Sequence, residues 1–412
     1  MRLYDYLIAG AGLTAATAAE TLRRGDVNGS IALVGDEPYL PYYRPRLPGL
    51  IAGLIPRETV IERDVRWASR LRLDLFLGCR IVGLDTGARA VTLADGRRIG
   101  YRKLLIATGA RPRRLDVPGE ELAGVHRLWS LADADAILAD LPGARRAVTI
   151  GGGFIGAELT EAFLARGLSV TYLIRAPRWF YPYVDETVGE MVRGELERSG
   201  VDVRLNAKVA RLEGENGRVR AVRLTTGETI PADLVTCSLG AGFDLDWLRG
   251  SGLALGRGVL TNEWLETNVP NVWAAGDIAD VWNPRVGSRV KLHNTASAGI
   301  QGRMAALGML GRREQLLKVP QYGFRLFGLF LVFVGVQNSE APHVQSWTQV
   351  DPAERAYLRV FMHNGRFVGG LLVNSRKAGL VRRLVEQHAP VPADLSLLFG
   401  GPGVAIPARV EV

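Results

Sequence analysis

Apolar and polar positions change their rhythm three times along the chain. In the first stretch, short apolar runs alternate with helical patterning: Leu3 to Ala9 is a strand, an alanine-rich helix runs to about Arg24, and Ile31 to Gly35 is the next strand. Leu73 to Val82, Ala90 to Leu93 and Tyr101 to Ala107 then read as a small meander, with Asp95-Gly96 as its hairpin turn. The second stretch repeats the alternation. Strands are predicted at Ala147 to Ile150 and Ser169 to Ile174, an amphipathic helix at Asp185 to Ser199, further strands between Val203 and Leu224 around Gly214-Glu215-Asn216-Gly217, and a closing strand at Asp233 to Leu239. From Val319 the pattern is strand-like throughout, at Tyr322 to Val336, Ala356 to His363 and Phe367 to Val373, with Asn364-Gly365 as a turn and one late helix near Lys377 to His388.

The strand-to-helix junctions carry the first chemistry. Gly10-Ala11-Gly12-Leu13-Thr14-Ala15 follows the first strand, and Gly151-Gly152-Gly153-Phe154-Ile155-Gly156 follows the strand at Ala147 to Ile150. In such a unit the first glycine permits the turn and the second lets backbone approach a pyrophosphate. The third position must be small for helix and strand to pack, and Ala15 and Gly156 satisfy it. Phosphate then faces N–H groups at a helix N-terminus, where the dipole favours negative charge. Two dinucleotide sites are therefore expected on one polypeptide. Asp36 stands where a carboxylate would accept from adenosine ribose hydroxyls, with Glu37 as its rival. On the second unit an apolar residue, Ile174, occupies the place of the acid expected for a 2′-hydroxyl, and Arg175 and Arg178 follow it. That pair favours NADPH over NADH, because an Arg there accommodates a 2′-phosphate.

Two further runs stop at tight turns: Leu105-Ile106-Ala107-Thr108-Gly109, and Val272-Trp273-Ala274-Ala275-Gly276-Asp277. The ordered set of two fingerprints and two such runs resembles the pyridine nucleotide-disulfide oxidoreductase family. The segment Tyr43-Arg44-Pro45-Arg46-Leu47 is similar to one in its ferredoxin and rubredoxin reductase and nitrite reductase-linked branch. The resemblance implies an α/β protein with two Rossmann-like dinucleotide-binding domains, each a three-layer parallel sheet, and a small α+β C-terminal domain. Residues 1–112 with 241–318 would bind FAD, 113–240 would bind NAD(P)H, and 319–412 would form an interface domain. By the same resemblance Arg44 lies near the pyrophosphate, Pro45 lies against the isoalloxazine, and the backbone of Ile81-Val82 pairs with the adenine edge. Ala107, Thr108, Gly109, Gly240 and Gly276 serve the FAD turns, and Asp277 accepts from the ribityl chain. Thr295 and Ala296 open a helix aimed at the flavin pyrimidine. Glu158 sits near the nicotinamide carboxamide and is the catalytic candidate. Relatives that follow the leucine with Ser-Lys place a lysine near flavin N5; here Pro48-Gly49 stands instead, so a lysine–glutamate pair cannot form.

Composition narrows what remains. Cys79 and Cys237 are the only cysteines, too few and too far apart for a Cys-x-x-Cys pair, a cluster or a zinc site. His293, His343 and His363 lack metal-ligand spacing, so no metal is expected. The net charge is +9, with 51 Lys+Arg against 42 Asp+Glu, which draws an acidic partner. No basic run is interleaved with aromatics, which argues against nucleic acid. Phe324 to Val336 contains Arg325 and is shorter than the ~20 residues a bilayer span needs. It is expected to be a buried strand pair, or less favourably a surface touching membrane. The fingerprint glycines within the first 25 residues argue against a signal peptide, and the cytoplasm is the default location.

The expected function is electron transfer from NAD(P)H through FAD to a small acidic iron-sulfur carrier such as ferredoxin or rubredoxin, by a monomer or homodimer. The alternatives are a quinone or small-molecule reductase, which needs Phe324 to Val336 exposed near the flavin, and a slow-turnover protein whose redox state alters its interactions.

Overall fold

The computed structural model describes residues 1–61, 63–290, 294–313, 319–337 and 343–406. His293 lies outside them. Three large sheets organise the chain. In the first, parallel strands stand in the order Leu73–Phe76, Ile31–Val34, Arg2–Ala9, Arg98–Ile106 and Val272–Ala274. The strand Arg98–Ile106 is shared between two neighbours. Its first half pairs antiparallel with Ala90–Leu93, and its second half pairs parallel with Val272–Ala274, so a segment from late in the chain completes the first unit. These strands are buried on both faces, which explains why they read as unbroken apolar runs.

The expected strand from Leu73 to Val82 is two strands. Leu73–Phe76 ends the parallel sheet, Gly78 turns with φ +67°, and Ile81–Asp85 begins the antiparallel hairpin. One apolar run spans both because each half packs against the core, and periodicity alone cannot locate the glycine break.

The second sheet is wholly parallel, in the order Asp202–Leu205, Ser169–Ile174, Arg146–Ile150, Leu234–Cys237 and Val125–His126. The segment expected to give successive strands from Val203 divides differently. Asp202–Leu205 joins this sheet, whereas Val209–Glu215 and Arg218–Leu224 form a separate antiparallel sheet with Thr229–Pro231. A helix at Leu131–Asp140, not foreseen in the pattern, is fixed by a capping box in which Ser130 and Asp133 satisfy each other's backbone N–H groups.

The third sheet is antiparallel throughout, in the order Gln321–Leu326, Leu329–Gly335, Arg366–Val373, Ala356–His363, Gln345–Asp351 and Val404–Ile406. Phe324 to Val336 is indeed a strand pair, turning at Phe327 (φ +46°) and Gly328. Its alternation separates two cores. Leu331 and Phe333 face Val188, Val192 and Leu196 of the helix Glu186–Arg198, while Val332 and Val334 face Val381 and Val385 of the helix Ala378–Glu386. Each such side chain contributes about 1.5–3 kcal/mol by leaving water. The quinone-reductase reading required this stretch to be exposed; its apolar side chains are turned inward except Phe330, which is exposed, and Phe327, which is partly buried.

Among the described residues no helix is long and apolar enough to cross a membrane, and no group of three or more His, Cys, Asp or Glu could hold a metal ion.

Candidate functional site

The carboxyl ends of the first two sheets open into one cleft of about 1030 Å³. The two fingerprints build its floor by the same device. At Gly10, with φ +130°, an added Cβ would stand 2.1 Å from the carbonyl oxygen of Ala107; at Gly151, with φ +119°, it would stand 2.1 Å from that of Ser238. Only glycine lets each first strand turn so close to its neighbour. Ala15 is fully buried, and a Cβ on Gly156 would meet the Gly151 carbonyl at 2.2 Å, so the small third positions keep helix against turn.

Above each turn the space is open. A Cβ on Gly12 or Gly153 meets nothing within 4 Å. These two residues cap the helices Leu13–Gly25 and Phe154–Ala165 without any side-chain hydrogen bond to the first N–H groups. Free N–H donors beside open volume at two helix N-termini suit the pyrophosphates of two dinucleotides.

The cleft brings together Gly10, Gly12, Asp36, Arg44, Pro45, Ala107, Thr108, Gly109, Phe154, Ile155, Glu158, Asp277, Thr295 and Ala296 from the expected set. Asp36 pairs at 2.6 Å with Arg111, which follows the Thr108-Gly109 turn, and both side chains are largely exposed. Glu37 is held further inside. It accepts from the Tyr42 hydroxyl at 2.7 Å and pairs with Arg44, whose guanidinium also donates to the Trp129 carbonyl. Tyr42 in turn accepts the N–H of Leu131 at 3.0 Å.

Asp277 faces the cleft, partly buried, and accepts no hydrogen bond from a described residue. Burial pushes its carboxyl up to about 6, against the opposing pull of Arg44. The turn that carries it is wedged in place: a Cβ on Gly276 would meet Thr14 Oγ1 at 2.6 Å, and the Gly276 N–H donates to Gln301 Oε1 at 2.8 Å. Gln301 belongs to the helix Thr295–Met309, whose cap, Asn294, accepts from the N–H of Ser297. A partly buried carboxylate that lines a cavity without a donor among the described residues suits hydroxyl donors, and the ribityl chain of FAD supplies such groups.

Glu158 lines the other end of the cleft, and burial followed by the nearby Glu161 pushes it up to about 7. Beside it Phe154 packs at 4.2 Å on Phe180 and 4.7 Å on Phe324, joining the second fingerprint to the third sheet. Gln321, Tyr322 and Gly323 complete that wall.

Several expected residues lie elsewhere. Gly151, Gly153, Gly156, Gly240 and Gly276 shape turns behind or beside the cleft and do not line it. Val82 does not line it either: a bulge between Ile81 and Gly83 leaves its side chain 48% exposed, and Cys79, Arg80 and Ile81 form the wall instead. Arg178 is engaged inward, donating from Nε to the Val184 carbonyl at 2.9 Å and lying 4.9 Å over the Tyr181 ring. Arg175 is exposed and pairs with no described residue. Trp129, Trp247, Asp244 and Gln301 were not foreseen. Trp129 reaches the cleft from a coil that no local pattern marks, and Gln301 reads as one polar residue within a small-residue helix.

Residues 4–302 match the model of the pyridine nucleotide-disulphide oxidoreductase family. The chain is 34% identical over 390 residues, 94% of each chain, to a ferredoxin–NAD(P)(+) reductase from a Sphingomonas species. It is 32% identical to a rubredoxin–NAD(+) reductase from Pseudomonas putida, over 80% of this chain and 86% of that one. Its fold matches a solved covalent complex of putidaredoxin reductase with putidaredoxin, with a TM-score of 0.89, 26% identity and 95% of both chains covered. The chain belongs to the pyridine nucleotide-disulphide oxidoreductase family. It is a flavin-dependent NAD(P)H oxidoreductase, and FAD and NAD(P)H are the cofactors this family implies.

Proposed function

We propose that this protein carries electrons from NADPH through FAD to a small acidic iron-sulfur protein of the ferredoxin or rubredoxin type. The observation that carries the reading is the single cleft in which two helix N-termini, free of side-chain caps, open beside the partly buried carboxylates of Asp277 and Glu158, which have no partner among the described residues. Residues 1–112 and 241–318 would hold FAD, 113–240 the nicotinamide nucleotide, and 319–412 would close the cleft with the Gln321–Phe324 edge.

FAD, when bound, accepts two electrons as hydride and releases them one or two at a time. The chain's own residues position and insulate. Gly10 to Leu13 would cradle the FAD pyrophosphate, Glu37 or Asp36 would take the adenosine ribose, and Arg44 would balance phosphate charge. Asp277 would accept from the ribityl hydroxyls. The N-terminus of the helix Thr295–Met309 would face the pyrimidine edge and favour negative charge there. Gly153 to Ile155 would seat the second pyrophosphate, with Glu158 orienting the carboxamide. NADPH is favoured because Ile174 removes the competing acid and Arg175, exposed and paired with no described residue, is placed for a 2′-phosphate; Arg178 is spent on the fold.

Thiol chemistry is not part of the reading. Cys237 is buried and its thiol is pushed up to about 12. An acidic carrier as acceptor accords with the +9 charge and with the ferredoxin and rubredoxin reductases at over 30% identity. Anaerobic stopped-flow reduction by NADH and NADPH separately, followed by mixing with ferredoxin and rubredoxin, tests it. Rapid bleaching of the flavin by NADPH and reoxidation by a carrier, slowed as salt rises, is expected. Reduction by neither nucleotide, or no reoxidation by any such carrier, removes the proposal.

A further inference from the structure

A second cavity, of about 300 Å³, shares no lining residue with the cleft. It lies where the strands Ala279–Asn283 and Ser288–Val290 meet the third sheet and the helix Ala378–Glu386. Its wall is largely apolar, with Trp264, Trp282, Val281, Val336, Val368 and Val385 contributing, and its size is at the lower end of small-molecule sites.

Two donors open onto it. The Arg285 guanidinium donates to the carbonyls of Val385 at 2.7 Å and Glu386 at 3.2 Å but forms no ion pair with a described carboxylate. Burial depresses its pKa, with the charge of Glu386 acting in the opposite sense. Gln301 is 97% buried; its Oε1 is taken by the N–H of Gly276, which leaves its amide NH2 as a donor with no acceptor among the described residues. The guanidinium, held by two backbone carbonyls, and the amide NH2, which no described residue accepts, are the polar donors that this largely apolar wall offers a ligand. Glu263 is the acid in the described lining, and with Arg285 it leaves the wall with one charge of each sign.

We propose that this cavity binds a small aromatic monocarboxylate, its ring against the tryptophan and valine wall and its carboxylate accepting from Arg285 and Gln301. The site is separate from dinucleotide chemistry yet reaches it, because the amide that would face the ligand also holds Gly276, next to Asp277.

The test is calorimetric titration of the FAD-loaded protein with benzoate, and with benzyl alcohol as the neutral counterpart. One benzoate per chain is expected, bound at least tenfold tighter than benzyl alcohol. Arg285→Met should weaken benzoate at least tenfold and leave benzyl alcohol unchanged. Val281→Trp should fill the cavity and abolish both; if that variant does not fold, judged by its melting curve, Arg285→Met decides alone. No heat with millimolar benzoate, equal affinity for the two probes, or undiminished benzoate binding by Arg285→Met overturns the proposal.

Discussion

Gln301 Oε1 accepts the backbone N–H of Gly276 at 2.8 Å, which ties the turn carrying Asp277 to the helix Thr295–Met309. The same helix crosses the first fingerprint helix so closely that a Cβ on Gly302 would stand 2.3 Å from the Thr14 carbonyl oxygen. Gly302→Val must push the two helices apart, at a cost of about 1–3 kcal/mol. Gly12→Val, in contrast, adds its side chain to open space. Thermal melts and flavin absorbance per protein should separate them: Gly302→Val lowers the melting temperature even without cofactor, whereas Gly12→Val keeps it and loses FAD.

Asp277 lines the cleft with no hydrogen-bond donor among the described residues. Asp277→Ala is expected to weaken FAD by about 10-fold or more, the scale of one charge-assisted hydrogen bond. Equilibrium dialysis of FAD against the variant measures this, and unchanged affinity would remove Asp277 from the FAD site. Arg44→Leu takes away the charge that opposes the upward shift, so the carboxyl should titrate above its present value of about 6.

Glu158 gives a pH signature. Its carboxyl rises from 4.5 in the unfolded chain to about 7 in the folded one, through burial first and Glu161 second. The folded protein therefore holds the proton more tightly. Stability from this group is fully present below about pH 4.5 and is lost as pH rises through about 7, on the order of 3 kcal/mol. Denaturant midpoints of the nucleotide-free protein should fall across that window, and Glu158→Gln should flatten the fall. An unaltered slope in the variant would assign the effect to another group.

The two arginines after Ile174 should part company. Arg175→Ala is expected to raise KM for NADPH by about 10-fold or more, the loss of one charged contact, with NADH unaffected. Arg178→Ala should leave the nucleotide ratio alone and lower the melting temperature, because it frees the Val184 carbonyl and the Tyr181 ring. Steady-state kinetics with both nucleotides distinguishes the two.

The alternation of short apolar runs with helices, and the glycines at Gly10 and Gly151, were legible in the sequence because local backbone sterics and periodicity write them. The acids Asp277 and Glu158 were singled out by the family resemblance, through their place after the Gly276 and Gly156 turns, and both line the cleft. The break at Gly78 was hidden, since both flanking strands bury similar side chains in the same core. So was the opposite fate of Arg175 and Arg178, three residues apart and alike in sequence, one with no partner among the described residues and one bound to a carbonyl.

The sequence by itself determined the main strands and helices and where the phosphate turns fall, because those depend on neighbours within one strand–turn–helix unit; which strands pair, as Val272–Ala274 does with Arg98–Ile106, depended on contacts far apart in the chain. Tertiary structure alone decided which polar groups lose their water. Glu37 drawn inward by Tyr42 and Arg44, Trp129 reaching the cleft from another element, and Gln301 shared between a turn and a second cavity all depend on residues far apart in the chain. Desolvation follows from three-dimensional packing, and no one-dimensional pattern encodes it.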